Sequence, residues 1–542
     1  MTEAARPITN RFAEPLPLES MESLKARLRA IQERGRAFGK ALFPFQVAGV
    51  IRAATAPGPV RHFLFADEMG LGKTDQACCV PQEGVPIMIG CPSVQKRQWA
   101  ATMRLRRPNY RARIIERRVD WRWAMPGEVI IFNYELMPPS WHELMSVVGD
   151  LEMSVGAARP SSLRQAPRAE QMTYIDRLCN TALAVEPAKV RRVREIVRMR
   201  SICMKTPPHP NTVLIGDEAQ RMKNADAKLN RQWREAAATA SVWGGNIYLL
   251  TATPEENGPD ELWNVLECGG LGKVLWGDKG SFDVAVANGT VAESLRKVSI
   301  MRRVEDVMPD LPEKRYETII VPLGDAAKKL ADDVVSALKL QGIDIEKAAL
   351  SAIAHAMAKK IPREMISALR KAIATAKIPF MLELVDDMEA QRQPWLVASL
   401  HKAPLETLMR RPHVVRISGA ETSNQKSLAM EQFQDKSGPI RGCAISTKSA
   451  ASGPTLTRAW RMIEVDIPWN PAVLDQLEGR IRRIGQEEKS LLYTRLEADH
   501  VLERRVNEKV LEKRESIEKN VNASAIRPGD AGWGWGDFDD EE

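Results

Sequence analysis

No apolar run approaches the roughly 18 residues that a membrane-crossing helix requires. The opening stretch, MTEAARPITNRFAEPLPLES, also lacks the apolar core of a secretory leader. Cysteine is scarce. The seven, Cys78, Cys79, Cys91, Cys179, Cys203, Cys268 and Cys443, form no C-x-x-C pair and no zinc-ligand spacing. A disulfide framework and structural zinc are therefore not expected, and a reducing compartment is. No internal repeat occurs, and no low-complexity tract except the tail GDAGWGWGDFDDEE. These absences lead to the expectation of a soluble intracellular protein with no membrane contact, cytoplasmic if bacterial or viral, otherwise possible in a nucleus.

What is present begins with length. A chain of 542 residues exceeds what one hydrophobic core supports, so at least two domains are expected. Short apolar runs bounded by turn residues recur as HFLFADE, VPIMIGCP, EVIIFNYE, TVLIGDEAQ and NIYLLTATP, then as PWLVASL, HVVRISG, RGCAIST, RMIEVD and SLLYTRL. Such runs read as buried parallel strands, and the fold class is α/β with two lobes. Residues 1–38 read as a helical flank, 39–308 as the first lobe and 309–515 as the second. Helical additions are expected at 138–210, 255–300 and 325–390. Residues 516–542 read as an acidic, aromatic tail that cannot bury a core and is expected to be disordered.

The stretch FLFADEMGLGKTDQA carries the first chemistry. A strand, a glycine-rich turn and a helix start aim backbone N–H groups at an anion. Gly70 and Gly72 let the backbone approach a phosphate, Lys73 would reach the β/γ-phosphates, and Thr74 would offer its hydroxyl to magnesium. The strict G-x-x-x-x-G-K-[ST] pattern fails because Asp67 stands where its first glycine belongs. A plain glycine turn is the competing reading. Against it stands VLIGDEAQ, a strand ending in Asp217, suited to magnesium, and Glu218, suited to polarising the attacking water. In QLEGRIRRIGQ, Arg480 and Arg483 would share one face of a helix and could stabilise a transferring phosphoryl group, against the alternative of a solvated basic face.

Together these segments resemble the Swi/Snf-type ATPases of helicase superfamily two, from about residue 40 to 515. The resemblance implies two RecA-like lobes, ATP and Mg2+ as ligands, and double-stranded or branched DNA as the partner. It implies that Gln46 in LFPFQVAGV reads adenine. It also places coupling roles on Thr251 and Thr253 of LLTATP, Gly453 of SAASGPTL and Gln476 of LDQLEGR. Strand contacts are implied for Lys96, Arg97, Arg104 and Arg106, which follow MIGCPSVQ, and for Lys448 of ISTKSA. Where the family reads G-x-N-L this chain has GPTL, so Thr455 replaces an asparagine; the 138–210 insert is longer than is usual in the family. No segment resembles a chromatin-reader domain, and a bare, monomeric motor is expected.

Net charge is +8, a modest bias that permits a polyanionic partner. It is concentrated between Lys96 and Arg122, where only Glu116 and Asp120 are acidic. Phosphate binding or a solvated face would both suit that stripe. The functional expectation is a DNA-stimulated ATPase that translocates along double-stranded DNA and remodels DNA structures or protein–DNA complexes. The alternatives are a strand-separating or branch-remodelling helicase and an ATP-gated clamp without useful turnover. The tail, with Trp533, Trp535 and Phe538 among acids, could solubilise, occupy the basic path in cis or dock on a protein partner.

Overall fold

The computed structural model describes residues 19–524 except 57–60, 255–257, 309, 349 and 451–454. Gly453 and the aromatic residues of the tail lie outside the described residues. The described residues divide into two compact units: residues 19–66 with Lys73–Ile300, and Asp67–Gly72 with residues 301–524.

The first unit is built on seven strands: β1 (Phe63–Phe65), β2 (Ile87–Cys91), β3 (Arg111–Ile114), β4 (Glu128–Asn133), β5 (Val213–Asp217), β6 (Ile247–Leu250) and β7 (Ser299–Ile300). Their order is β3-β4-β2-β5-β6-β1-β7, and every pairing is parallel. The central strands are covered on both faces, which is why they read as continuous apolar runs. Trp233 lies over β2 and β5 so closely that a Cβ at Gly90 or Gly216 would come within 2.6 or 2.7 Å of its ring. Glycine at those two strand positions makes room for the indole.

The second unit has β8 (Glu313–Val321), β9 (Trp395–Ser399), β10 (Val414–Ile417), β11 (Gly442–Ser446), β12 (Arg461–Glu464) and β13 (Ser490–Ala498). These run in the order β10-β11-β9-β12-β13-β8, again all parallel. Both units are thus α/β with parallel sheets. Three strands were not foreseen, β3, β7 and β8, and each is a sheet edge. β3 and β8 are partly or largely exposed, so their sequences need not be apolar, β8 reading EKRYETIIV, whereas β7 is buried but only two residues long.

Three groups of helices stand apart from those that flank the strands. The first, Trp141–Val155, Arg168–Ala182 and Pro187–Cys203, packs around its own core of Leu144, Val148, Ile175, Leu178, Val190 and Val193. Residues 259–295 form four short helices. Helices Asp325–Leu340, Leu350–Lys359, Arg363–Ala376 and Ile378–Ala390 follow β8. The first three share a core with Leu502, Val506 and Val510 of helix Val501–Ser524. That last helix runs past the boundary expected at 515. All seven cysteines are buried and free. Among the described residues no helix is long and apolar enough to cross a membrane.

Candidate active site

Three neighbouring strands, β5, β6 and β1, end together in the first unit. Register makes them level: Phe65 and Asp217 are both opposite Leu250, one on each side of β6. At about 4.8 Å per strand, the ends of β1 and β5 are about 10 Å apart. The turn after β1 leads to Lys73 and Thr74, β5 delivers Asp217 and Glu218, and β6 leads to Thr251 and Thr253. The backbone N–H of Thr251 donates to Phe65 O at 3.0 Å, and the N–H of Thr253 donates to Thr251 Oγ1 at 3.0 Å. Thr251 is buried. The six residues are brought together by topology from positions up to 180 apart in sequence.

Gly70 and Gly72 have φ of 90° and 72°, a backbone that side chains resist, which accounts for both glycines. Asp67, the residue that breaks the standard pattern, is fully buried and forms a two-pronged ion pair with Arg302, Nε to Oδ1 at 3.0 Å and Nη2 to Oδ2 at 2.5 Å. Its neighbour Glu68 accepts the Val304 N–H at 2.8 Å. The departure therefore has a structural role: it ties the loop to the segment after β7. Arg302 carries no motif signal, and only its pairing with Asp67 reveals it.

Asp217 is buried and its carboxylate is held by two donors. Trp99 Nε1 reaches Oδ2 at 2.8 Å and the Glu218 N–H reaches Oδ1 at 2.9 Å. The Tyr134 hydroxyl donates to the Asp217 carbonyl. Burial, and then the neighbouring Glu218 charge, push the Asp217 carboxyl above its ordinary range, while the Trp99 bond and the Lys73 ammonium pull the other way. A buried carboxylate in that condition is suited to a divalent cation, which would offset both the desolvation and the repulsion. Asp217 and the Thr74 hydroxyl are the residues that would hold it. Glu218 itself sits at φ 53°, a strained conformation for a side-chain-bearing residue, and its Oε2 accepts from Gln220 Nε2 at 2.7 Å. Trp99 was missed at the sequence level because a tryptophan on an amphipathic helix reads as core.

The remaining expected residues divide. Gln46 is buried, and its Oε1 accepts the Phe43 N–H at 2.9 Å, turning the side chain back to the start of its own helix. Gln476 is buried in helix Pro471–Glu478 of the second unit. Arg480 and Arg483 do not share a helix face, a correction to the sequence expectation: the helix stops at Glu478 and both arginines lie in the turns that follow. The anchor is Glu478, fully buried, which takes Arg514 Nη2 at 2.6 Å, Tyr316 OH at 2.7 Å, Arg495 Nη2 at 3.0 Å and Lys314 Nζ at 3.2 Å. Arg480 is buried, whereas Arg483 is half-buried and donates from Nη1 to Thr455 Oγ1 at 3.0 Å and from Nε to Gly479 O at 2.8 Å.

Among the strand-contact candidates, Arg97 and Arg104 are exposed on helix Lys96–Arg106. Lys96 and Arg106 are buried, which corrects their expected role. Lys96 Nζ meets Glu116 at 2.7 Å and Ile115 O at 3.1 Å; Arg106 meets Asp75 at 2.7 Å and Lys40 O at 2.6 Å. Helical spacing turns these two inward, and their charges serve the fold. Lys448 lies in the short helix Thr447–Ala450.

Residues 54–377 match the SNF2-related domain, and residues 376–485 match the helicase conserved C-terminal domain. A SWI/SNF-related matrix-associated actin-dependent regulator of chromatin subfamily A-like protein 1 homolog of Caenorhabditis elegans is 24% identical, over 86% of this chain and 61% of its own length. The human DNA annealing helicase and endonuclease ZRANB3 is 23% identical, over 82% of this chain and 37% of its own. The chain thus spans less than two thirds of either relative. The Sulfolobus solfataricus SWI2/SNF2 ATPase core, solved in complex with dsDNA, is 17% identical over 89% of this chain and 93% of that one, with a TM-score of 0.33. Because the first of these domain matches alone covers more than half of its residues, the chain belongs to the SNF2-related family, ATP-hydrolysing enzymes of helicase superfamily two.

Proposed function

We propose that this chain is a DNA-stimulated ATPase that translocates along double-stranded DNA and remodels DNA structures or protein–DNA complexes. The observation that supports it most is the level ending of β1, β5 and β6, which gathers Lys73, Thr74, Asp217, Glu218 and Thr251. In this reading the Lys73 ammonium neutralises the β/γ-phosphates, and Gly70 and Gly72 let the loop approach them. Glu218 takes the proton of the attacking water. Bound magnesium would supply charge neutralisation at the β/γ-oxygens, held through Thr74 and Asp217. Arg480 and Arg483 would stabilise the charge that spreads over the phosphoryl oxygens in the transition state, and Gln46 would read the adenine.

Thr251, bonded to the end of β1, and Thr253 would pass the state of the phosphate site to the rest of the unit, with Gly453 and Gln476 serving the second. DNA contact through Arg97, Arg104 and Lys448 would then change with each ATP turnover. ATP hydrolysis by the purified chain, measured without DNA and with single strands, duplex and branched junctions, tests the reading. Stimulation by duplex supports translocation, and a stronger response to junctions would favour branch remodelling. Turnover unaffected by every DNA would remove the DNA dependence, and absence of turnover would leave only an ATP-gated clamp.

A further inference from the structure

The helical insert carries a second concentration of positive charge that the ATP site does not use. Helix Pro187–Cys203 buries Val190, Val193, Ile196 and Cys203. At 3.6 residues per turn, Arg191, Arg194 and Arg198 fall on the side opposite Val193 and Ile196. All three are exposed, as is Arg192 on their flank. Arg194 Nη2 donates to Asn180 Oδ1 of the neighbouring helix at 2.9 Å. Among the described residues, none of these four arginines has an acidic partner within 4.0 Å. Arg200, on the buried side, is different: it binds Glu235 at 2.7 Å as well as the Pro139 carbonyl. The helix thus separates one structural arginine from an outward row.

A solvated helix face would be served better by mixed charges. Glu195 is the helix's sole acid between Pro187 and Cys203. Glu195 stands on the same outward side, four residues after Arg191 and three before Arg198, and offsets part of the repulsion between the arginines; the face still carries three arginines against one acid. Its neighbours point to a polymeric anion. The end of the helix reaches the segment Arg118–Asp120, with Cys203 Sγ 3.2 Å from Arg118 O. That segment closes the basic stripe, where Arg111 and Arg113 on the edge strand β3 are exposed as well.

We propose that Arg191, Arg194 and Arg198 bind backbone phosphates of nucleic acid, giving the insert a grip of its own. Successive arginines are offset by about 4.5 and 6 Å along the helix axis. Guanidinium forks on flexible stems can take phosphate oxygens in pairs over such offsets. No base-reading side chain stands in the row, so the contact is independent of sequence and sensitive to salt. The inference rests on the DNA reading above only for the identity of the polymer.

The test compares the wild-type chain with Arg191→Ala/Arg194→Ala/Arg198→Ala and with the corresponding triple lysine variant. Affinity for a fluorescent duplex is measured across a salt series, alongside DNA-free ATP turnover. These side chains are exposed, so the fold and DNA-free turnover should be retained. The alanine variant should bind about tenfold or more weakly at low salt, and the slope of log affinity against log salt should fall by roughly 2 to 3, near 0.9 per phosphate lost. The lysine variant should keep most of the slope. Wild-type affinity and slope in the alanine variant would overturn the inference while a DNA-stimulated wild type leaves the ATPase reading standing. Weaker binding with an unchanged slope would overturn it too. A wild type that neither binds DNA nor responds to it would remove the DNA reading itself.

Discussion

Arg483 Nη1 donates to Thr455 Oγ1 at 3.0 Å, joining the second of the two arginines proposed to stabilise the transferring phosphoryl group to the residue that departs from the family's G-x-N-L pattern. Threonine there holds the guanidinium by a single oxygen. Thr455→Asn keeps an acceptor and should be tolerated. Thr455→Val removes it and should lower kcat about tenfold, the equivalent of about 1.4 kcal/mol, with little change in ATP affinity. Steady-state kinetics beside nucleotide binding separates the two; an unchanged kcat in Thr455→Val would take Arg483 out of the rate-determining chemistry.

Trp99 Nε1 holds Asp217 Oδ2 at 2.8 Å. Trp99→Phe keeps most of the buried ring and loses that donor. Partners that orient a metal-holding carboxylate are typically worth 10- to 100-fold in metal affinity. The variant should therefore need about tenfold more magnesium for half-maximal turnover. A magnesium titration at saturating ATP checks this, and an unshifted midpoint would mean that Trp99 only fills space.

Glu218 stands at φ 53° with its carboxylate within reach of Gln220. Glu218→Gln retains shape and backbone and loses the base, so ATP should still bind while turnover falls by about a hundredfold or more. Loss of ATP affinity together with turnover would assign Glu218 to binding instead.

Glu478 is bound by two arginines, a lysine and a tyrosine, and those cations hold its carboxyl well below the ordinary range despite burial. Its folded-state pKa lies below the unfolded one, so its stabilisation is present above the unfolded value and fades as pH falls through the folded one. Breaking a buried ion network on one side costs about 3–5 kcal/mol, and Glu478→Gln should destabilise the second unit by that order at neutral pH. Denaturant unfolding at pH 7 and in acid measures both; equal stability of variant and wild type at pH 7 would contradict the anchoring role.

His62 is buried, its Nδ1 accepts the Ile247 N–H at 3.1 Å, and burial lowers its pKa from 6.5 to about 4. Above pH 6.5 the ring is neutral in both folded and unfolded chains. Between 6.5 and 4 only the unfolded chain takes up the proton, so stability declines with acidification by as much as about 3 kcal/mol from this residue. His62→Gln should flatten that part of the pH profile of unfolding. A variant profile parallel to wild type would place the acid sensitivity elsewhere.

Most of the ten foreseen strands were legible because burial on both faces demands uninterrupted apolar runs, and VLIGD or IMIGC can be little else; β10, an edge strand, shows instead the alternation of a half-buried one. Lys73 and Thr74, and separately Asp217 and Glu218, stood out as candidates because each pair sits in a short local pattern at a strand end; that the two pairs lie on neighbouring strand ends is a matter of register, not of spacing. The strands β3 and β8 were not legible, since much of each lies in solvent and has no compositional demand to meet, and β7, though buried, is only two residues long.

Local spacing also misled where tertiary contacts overrode it. Arg480 and Arg483 looked like one helix face until Glu478, clasped by Lys314, Tyr316, Arg495 and Arg514, marked the end of that helix. Lys96 and Arg106 looked like free cations until helical phase turned them toward Glu116 and Asp75. Residue types and their order along the chain determined the fold class and which residues are candidates for a phosphate loop. Only the folded chain decided which charges remain available, because ion pairs such as Asp67 with Arg302 join residues more than 200 positions apart and leave no periodic trace in sequence.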